Sequence, residues 1–121
     1  MKPRTELLEL RTFWLASASF MSNLCGFGPN QWRLYESGEA TPSRSNELLI
    51  RSIRDVKVFQ QMLLLMPVEH RDKGTYVRIL TAAQRINSTI QQLTTDYGHE
   101  LSRAWIANYT LSVQKLSDTQ P

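Results

Sequence analysis

Residues 30–34 contain Asn30, Gln31, Arg33 and Leu34, four side chains suited to reading the edge of a base pair. Asn and Gln can each pair with adenine through two hydrogen bonds, Arg with guanine, and an apolar side chain can meet the thymine methyl group. On a helix, Asn30, Arg33 and Leu34 fall on one side at spacings of three and four, with Gln31 one turn before Leu34. Trp32 and Tyr35, three apart, share the other side and are expected to pack inward. An exposed leucine between polar neighbours has little use on a solvated face and a clear one against a base edge. The amide-rich start of such a helix also suits a phosphate oxygen.

Residues 17–38 have the punctuation of two short helices joined by a tight turn. Ser17 can cap the first, its hydroxyl accepting a free amide hydrogen. Phe20, Met21, Leu24 and Cys25 give that helix one apolar face. Gly26 is expected to end it in the left-handed conformation that glycine adopts without strain. Gly28-Pro29 is expected to restart a helix with proline at its first position, where the missing amide hydrogen costs nothing, and Gly38 to stop it. Two helices in this arrangement can lay the second into a DNA major groove.

This stretch resembles the Xre/Cro-repressor helix-turn-helix family. The likeness starts at Leu10-Arg11, runs through Leu24, Gly26, Pro29, Tyr35-Glu36 and Gly38 without insertion, and reaches Pro42-Ser43. Residues 27–36, Phe-Gly-Pro-Asn-Gln-Trp-Arg-Leu-Tyr-Glu, look most like the DNA-binding half of MqsA-type (YgiT-type) antitoxin regulators. The resemblance implies a five-helix bundle of the lambda-repressor kind and a sequence-specific transcriptional regulator, with an antitoxin-like autorepressor and a toxin partner as its extension. It implies that Arg11 and Glu36 form a structural ion pair between the first and third helices. It also implies that Ser43 and Arg44, where the next loop and helix start meet the DNA backbone, reach phosphate. The expected contact set is therefore Ser17, Gly28, Asn30, Gln31, Arg33, Leu34, Ser43 and Arg44. The sequence departs from the family twice. Ala18 stands where a phosphate-contacting glutamine is common, and the 121 residues contain no counterpart of the four-cysteine zinc domain that precedes the motif in MqsA-type regulators.

Composition is compatible with this reading without demanding it. The chain has the length of one domain, and its net charge of +3 leans basic. Residues 1–58 hold eight Lys and Arg against six Asp and Glu, the remainder six against five, so neither half is strongly basic. Cys25, the single cysteine, excludes an internal disulfide and is most simply a buried small hydrophobe. The longest apolar run, residues 62–67, falls far short of the ~18 residues of a membrane span. With Lys, Pro and Arg at the start and no signal pattern, a cytoplasmic protein is expected.

The whole chain reads as helix. A first helix is expected over residues 4–15, with Leu7, Leu10 and Trp14 on one stripe and Leu8, Arg11 and Leu15 on another. After the two motif helices, Thr41 or Ser43 caps one carrying Leu48, Leu49, Ile50 and Ile53. Asp55 begins another, carrying Val56, Phe59, Met62, Leu63 and Met66 until Pro67. Residues 1–66 form the expected DNA-binding domain and 67–121 a helical extension. In the extension, Tyr76, Ile79, Ala83, Ile86, Ile90, Leu93 and Tyr97 alternate steps of three and four, an apolar heptad seam. Beyond Gly98, Leu101, Trp105, Tyr109 and Val113 suggest a last helix and residues 117–121 a frayed tail. Two uses of the seam stand open: an intrachain hairpin packed on the N-terminal bundle, or a homodimer interface. The homodimer, through Tyr76, Ile79, Ala83, Ile86, Ile90 and Leu93, is favoured because the opposite face (Arg78, Gln84, Arg85, Asn87, Gln91, Gln92) is polar.

No enzymatic constellation is present. His70 and His99 are isolated from other ligand types, so neither metal nor cofactor is expected. No nucleophile-base pair, paired carboxylates or phosphate-cradling loop is found, since Gly26-x-Gly28 belongs to the motif turn. The alternative to a DNA-binding regulator is a protein-interaction module, an antitoxin or adaptor whose helix-turn-helix is a scaffold and whose residues 76–113 grip a partner.

Overall fold

The computed structural model describes residues 2–97. Among these, the ordered elements are α1 (Thr5–Phe13), α2 (Ala18–Cys25), α3 (Gln31–Ser37), α4 (Arg44–Ser52), α5 (Val56–Leu65), a 3-10 turn (Val68–His70) and α6 (Thr75–Tyr97). The all-helical class expected from the sequence is borne out. The last expected helix (Leu101, Trp105, Tyr109, Val113), Gly98, His99 and the tail lie outside the described residues.

Helices α1 to α5 are seven to ten residues long, too short to persist alone in water, where about 12–15 residues are marginal. Packing and caps must hold them. Ser17 accepts from the Phe20 amide at 3.0 Å, Ser43 from Asn46 at 3.2 Å and Asp55 from Lys57 at 2.8 Å, each serving a donor the helix start leaves open. At its far end α5 stops at Leu65, with Met66 extended ahead of Pro67 as a residue before proline prefers. The core gathers Leu7, Leu10, Trp14, Met21, Leu24, Trp32, Ile50, Phe59 and Leu63. Trp14 lies flat on Phe59 with ring centroids 4.4 Å apart. Cys25 is buried in this core, and burial pushes its thiol up to about 12.

Two sequence expectations about helix ends are corrected. α1 does not reach Leu15; it ends at Phe13, and Leu15 takes a left-handed backbone (φ +54°) with its side chain 71% exposed. Nor does Pro29 open α3. Gly28 to Gln31 close a turn through Gln31 N–H donating to the Gly28 carbonyl at 3.1 Å, with Pro29 second and Asn30 third at φ +64°. That is the type II pattern, in which proline presets the second residue and asparagine tolerates the left-handed third. The turn claims both residues, so α3 starts at Gln31.

The seam is covered within the chain. Tyr76, Ile79, Ala83 and Ile90 are buried within the chain, and α6 makes its main packing contact with α5. Ile86, partly buried, joins the same core, and Leu93 is half-buried. The stripe therefore has an intrachain partner, and a homodimer through these residues would have to displace it. Nor is the opposite face idle. Asn87 donates to the Val56 carbonyl and to Gln60 Oε1, and Arg78 reaches back to the α1–α2 turn. Heptad spacing identified which residues are buried but not what buries them.

Candidate nucleic-acid interface

α3 is held by α1, α2, α4 and the N-terminal residues 2–4. Trp32 is fully buried and Tyr35 nearly so, as their spacing predicts. Ser22 of α2 accepts a hydrogen bond from the Trp32 amide at 2.9 Å in a buried setting. This does the work of a cap that Asn30, whose side chain makes no cap bond, does not perform. Phe27 meets the Tyr35 ring edge-on at 5.6 Å, and the Tyr35 hydroxyl accepts from Asn46 Nδ2 of α4 at 3.0 Å. Gly38 closes the helix at φ +84°, and a Cβ there would overlap the Lys2 carbonyl, 2.8 Å from its carbon. Residues 2–4 thus pass directly over the end of α3, where Arg4 N–H donates to the Glu36 carbonyl at 2.8 Å.

Arg11 joins α1 to α3. Its guanidinium meets Glu36 through Nε at 2.7 Å and Nη2 at 3.2 Å, and its Nη1 donates to the Ala16 carbonyl at 3.4 Å. A second ion-pair group was not foreseen. Arg4 bonds both oxygens of Glu47 at 2.6 and 3.0 Å and also Glu6 at 2.7 Å. Arg51 adds to Glu47 at 3.3 Å. The Arg4 hydrogen bond holds the Glu47 carboxyl below its ordinary range against desolvation. At Glu6, desolvation pushes the other way, but hydrogen bonding to Arg4 leaves its carboxyl lowered as well. The two partners in turn raise Arg4, the Glu47 hydrogen bond foremost, against desolvation.

Gly28, Asn30 and Arg33 are exposed, and Gln31 is half-exposed, along one turn and the helix that follows. Leu34, expected on the surface, is half-buried, because the chain folds back beside it and Ala40 N–H donates to its carbonyl at 3.1 Å. Ser43 and Arg44 are exposed at the start of α4, which Asn46 ties to α3. Ser17 lies at the other end of α2, about 12 Å along its axis from the turn. Arg33 and Arg44 enter no ion pair among the described residues, whereas Arg4, Arg11 and Arg51 are neutralised by carboxylates. The chain matches no known family model, curated protein or solved structure. The surface must therefore be read on its own geometry: a short polar ridge with outward cations, on a helix whose inner face is locked. Among the described residues, no cluster of three His, Cys, Asp or Glu could hold a metal, and no helix is long and apolar enough to cross a membrane.

Sequence reasoning missed Ser22, Arg4–Glu47 and Arg78. Ser22 left a trace, a hydroxyl between Met21 and Leu24 on an apolar face. The other two join residues 43 and more than 60 positions apart and left none.

Proposed function

We propose that this chain is a sequence-specific duplex DNA-binding regulator of the helix-turn-helix type, reading base edges with the outer face of α3. The observation that carries this is the division of α3. Trp32 and Tyr35 are locked inward, while Gln31 and Arg33, with Asn30 in the turn before them, face out. Ser43 and Arg44 are exposed at the start of α4, which Asn46 ties to Tyr35. In this reading α1 to α5 form an Xre-type bundle, α3 lies in the major groove, and Ser17, Ser43 and Arg44 meet phosphate. Phosphate contacts supply affinity and base contacts choose the site. Two copies would read half-sites ~34–36 Å apart. Their mutual contact then uses surface other than Tyr76, Ile79, Ala83 and Ile90.

The test is selection of duplexes from a randomised pool. Gln31→Ala and Arg33→Ala should each lose about 1–3 kcal/mol of discrimination at individual base pairs while folding normally. Arg44→Ala should weaken all sequences alike and lower the salt slope by about one. Identical selected sites for the parent and both α3 variants would end the assignment of α3 as the reading helix. A second reading, a protein-interaction module, draws on the exposed Leu64, Leu65 and Val68 at the end of α5. It predicts indifference to duplex DNA at any salt concentration.

A further inference from the structure

Left-handed backbone occurs at two non-glycine residues among those described, Asn30 and Leu15. Asparagine tolerates it; leucine holds it only where its surroundings over-determine the turn. At Leu15 those surroundings are two guanidinium groups. Arg78 of α6 donates from Nη1 to the Trp14 carbonyl at 2.9 Å and from Nη2 to the Leu15 carbonyl at 2.7 Å. Arg11, fixed by Glu36 of α3, donates to the Ala16 carbonyl. Three successive carbonyls are thus held, and the next residue, Ser17, caps α2.

We infer that Arg78 is a positioning residue for DNA binding: by clamping the α1–α2 turn, α6 sets where the N-terminal end of α2 and Ser17 meet the phosphate backbone. This rests on the DNA-binding reading above. It makes the helix beyond the five-helix bundle part of the grip, and any event that shifts α6 a means of loosening it. The clamp needs a planar fork, because two carbonyls on adjacent residues accept from two nitrogens of one group. The single ammonium of lysine cannot reproduce that geometry. Arg78 is itself exposed, with its bond to Leu15 at the surface and its bond to Trp14 part-buried. A net hydrogen bond of this kind adds only about 0.5–1.5 kcal/mol to global stability, so the effect should be read in the turn and in DNA binding.

The experiment compares the parent with Arg78→Ala, Arg78→Lys and the double variant Arg78→Ala/Leu15→Gly. Each is measured on the duplex the parent recovers from a randomised pool, across a salt series, together with amide hydrogen exchange. The Arg78→Ala variant should bind about tenfold more weakly with its salt slope unchanged, because the contact that is loosened, Ser17, carries no charge. A slope lower by about one would mean that Arg78 itself meets phosphate and would overturn the inference. It should exchange faster at Ala16, Phe20 and Met21 while α4 and α5 are unchanged. Lysine should fail to restore binding. Glycine at position 15, which takes the left-handed turn unaided, should recover much of the loss, a rescue that an arginine in direct contact with phosphate would not show. Unaltered exchange at those three amides, or unaltered affinity in Arg78→Ala, overturns this inference alone. A parent that recovers no duplex overturns the DNA reading and the inference with it.

Discussion

The ends of α1 and α2 are closed by the same pair of hydrogen bonds and by opposite kinds of residue. At α1, Leu15 N–H reaches the Thr12 carbonyl at 2.9 Å and Ala16 N–H the Arg11 carbonyl at 2.8 Å. At α2, Gly26 N–H reaches Asn23 at 3.3 Å and Phe27 N–H reaches Ser22 at 2.9 Å. Both are Schellman closures, with the left-handed residue at the same place. Gly26 fills it at φ +71° without a Cβ, whereas Leu15 fills it at φ +54° against a cost of about 1–2 kcal/mol. The difference is where the offset comes from. Gly26 needs nothing beyond its own backbone, while the leucine turn has Arg11 and Arg78 on its carbonyls. One helix end is local chemistry, and the other is held by the rest of the molecule.

Four substitutions sharpen that contrast, each read by chemical denaturation. The largest effect belongs to Gly38→Ala, where a left-handed backbone and overlap with the Lys2 carbonyl act together. It should lose about 2–5 kcal/mol, and a loss as small as that of Gly26→Ala would mean residues 2–4 do not pack over α3. Next is Ser22→Ala. The Ser22 carbonyl closes α2 while its hydroxyl serves the buried Trp32 amide, so the alanine strands only the second and should cost about 1–3 kcal/mol. Gly26→Ala meets open space within 4 Å and should cost only the left-handed penalty, about 1–2 kcal/mol. The smallest change has the opposite sign. Leu15→Gly gives up a mostly exposed side chain and should gain about 0.5–1 kcal/mol net, the left-handed penalty of about 1–2 kcal/mol less the roughly 0.4–1 kcal/mol that the freer unfolded chain takes back. A clear loss there would show that the leucine side chain itself holds the turn.

The same divide governs what could be read from sequence. Ser17, Ser43 and Asp55 as caps, Gly26 and Gly38 as terminators, and Trp32 and Tyr35 as inward anchors are legible because each depends on residues within a few positions. Pro29 was misplaced because glycine-proline suits both a helix start and a type II turn, and only Asn30 in third position separates them. Leu15 was misplaced because its spacing continues the stripe of Leu8 and Arg11, and nothing local tells that the backbone has already turned. For α6 the seam was visible, but α5 as its cover was not, since a three-four pattern is the same whether it faces a neighbour in the chain or another copy. The candidate surface followed from local pattern, except Leu34, which the returning chain at Ala40 half covers.

The division of α3 has a consequence for how such a protein can change over generations. Its fold is vested in Trp32, Tyr35, Ser22 and Gly38, whereas Asn30 and Arg33 enter neither the core nor an ion pair among the described residues. Substitutions at Arg33 should fall within about 0.5 kcal/mol of neutral for stability, whereas at Asn30, held at φ +64°, residues other than glycine or aspartate should cost about 1–2 kcal/mol. A duplicated gene could therefore rewrite what this ridge recognises one residue at a time, every intermediate still folding. The scaffold would be inherited while its specificity drifts.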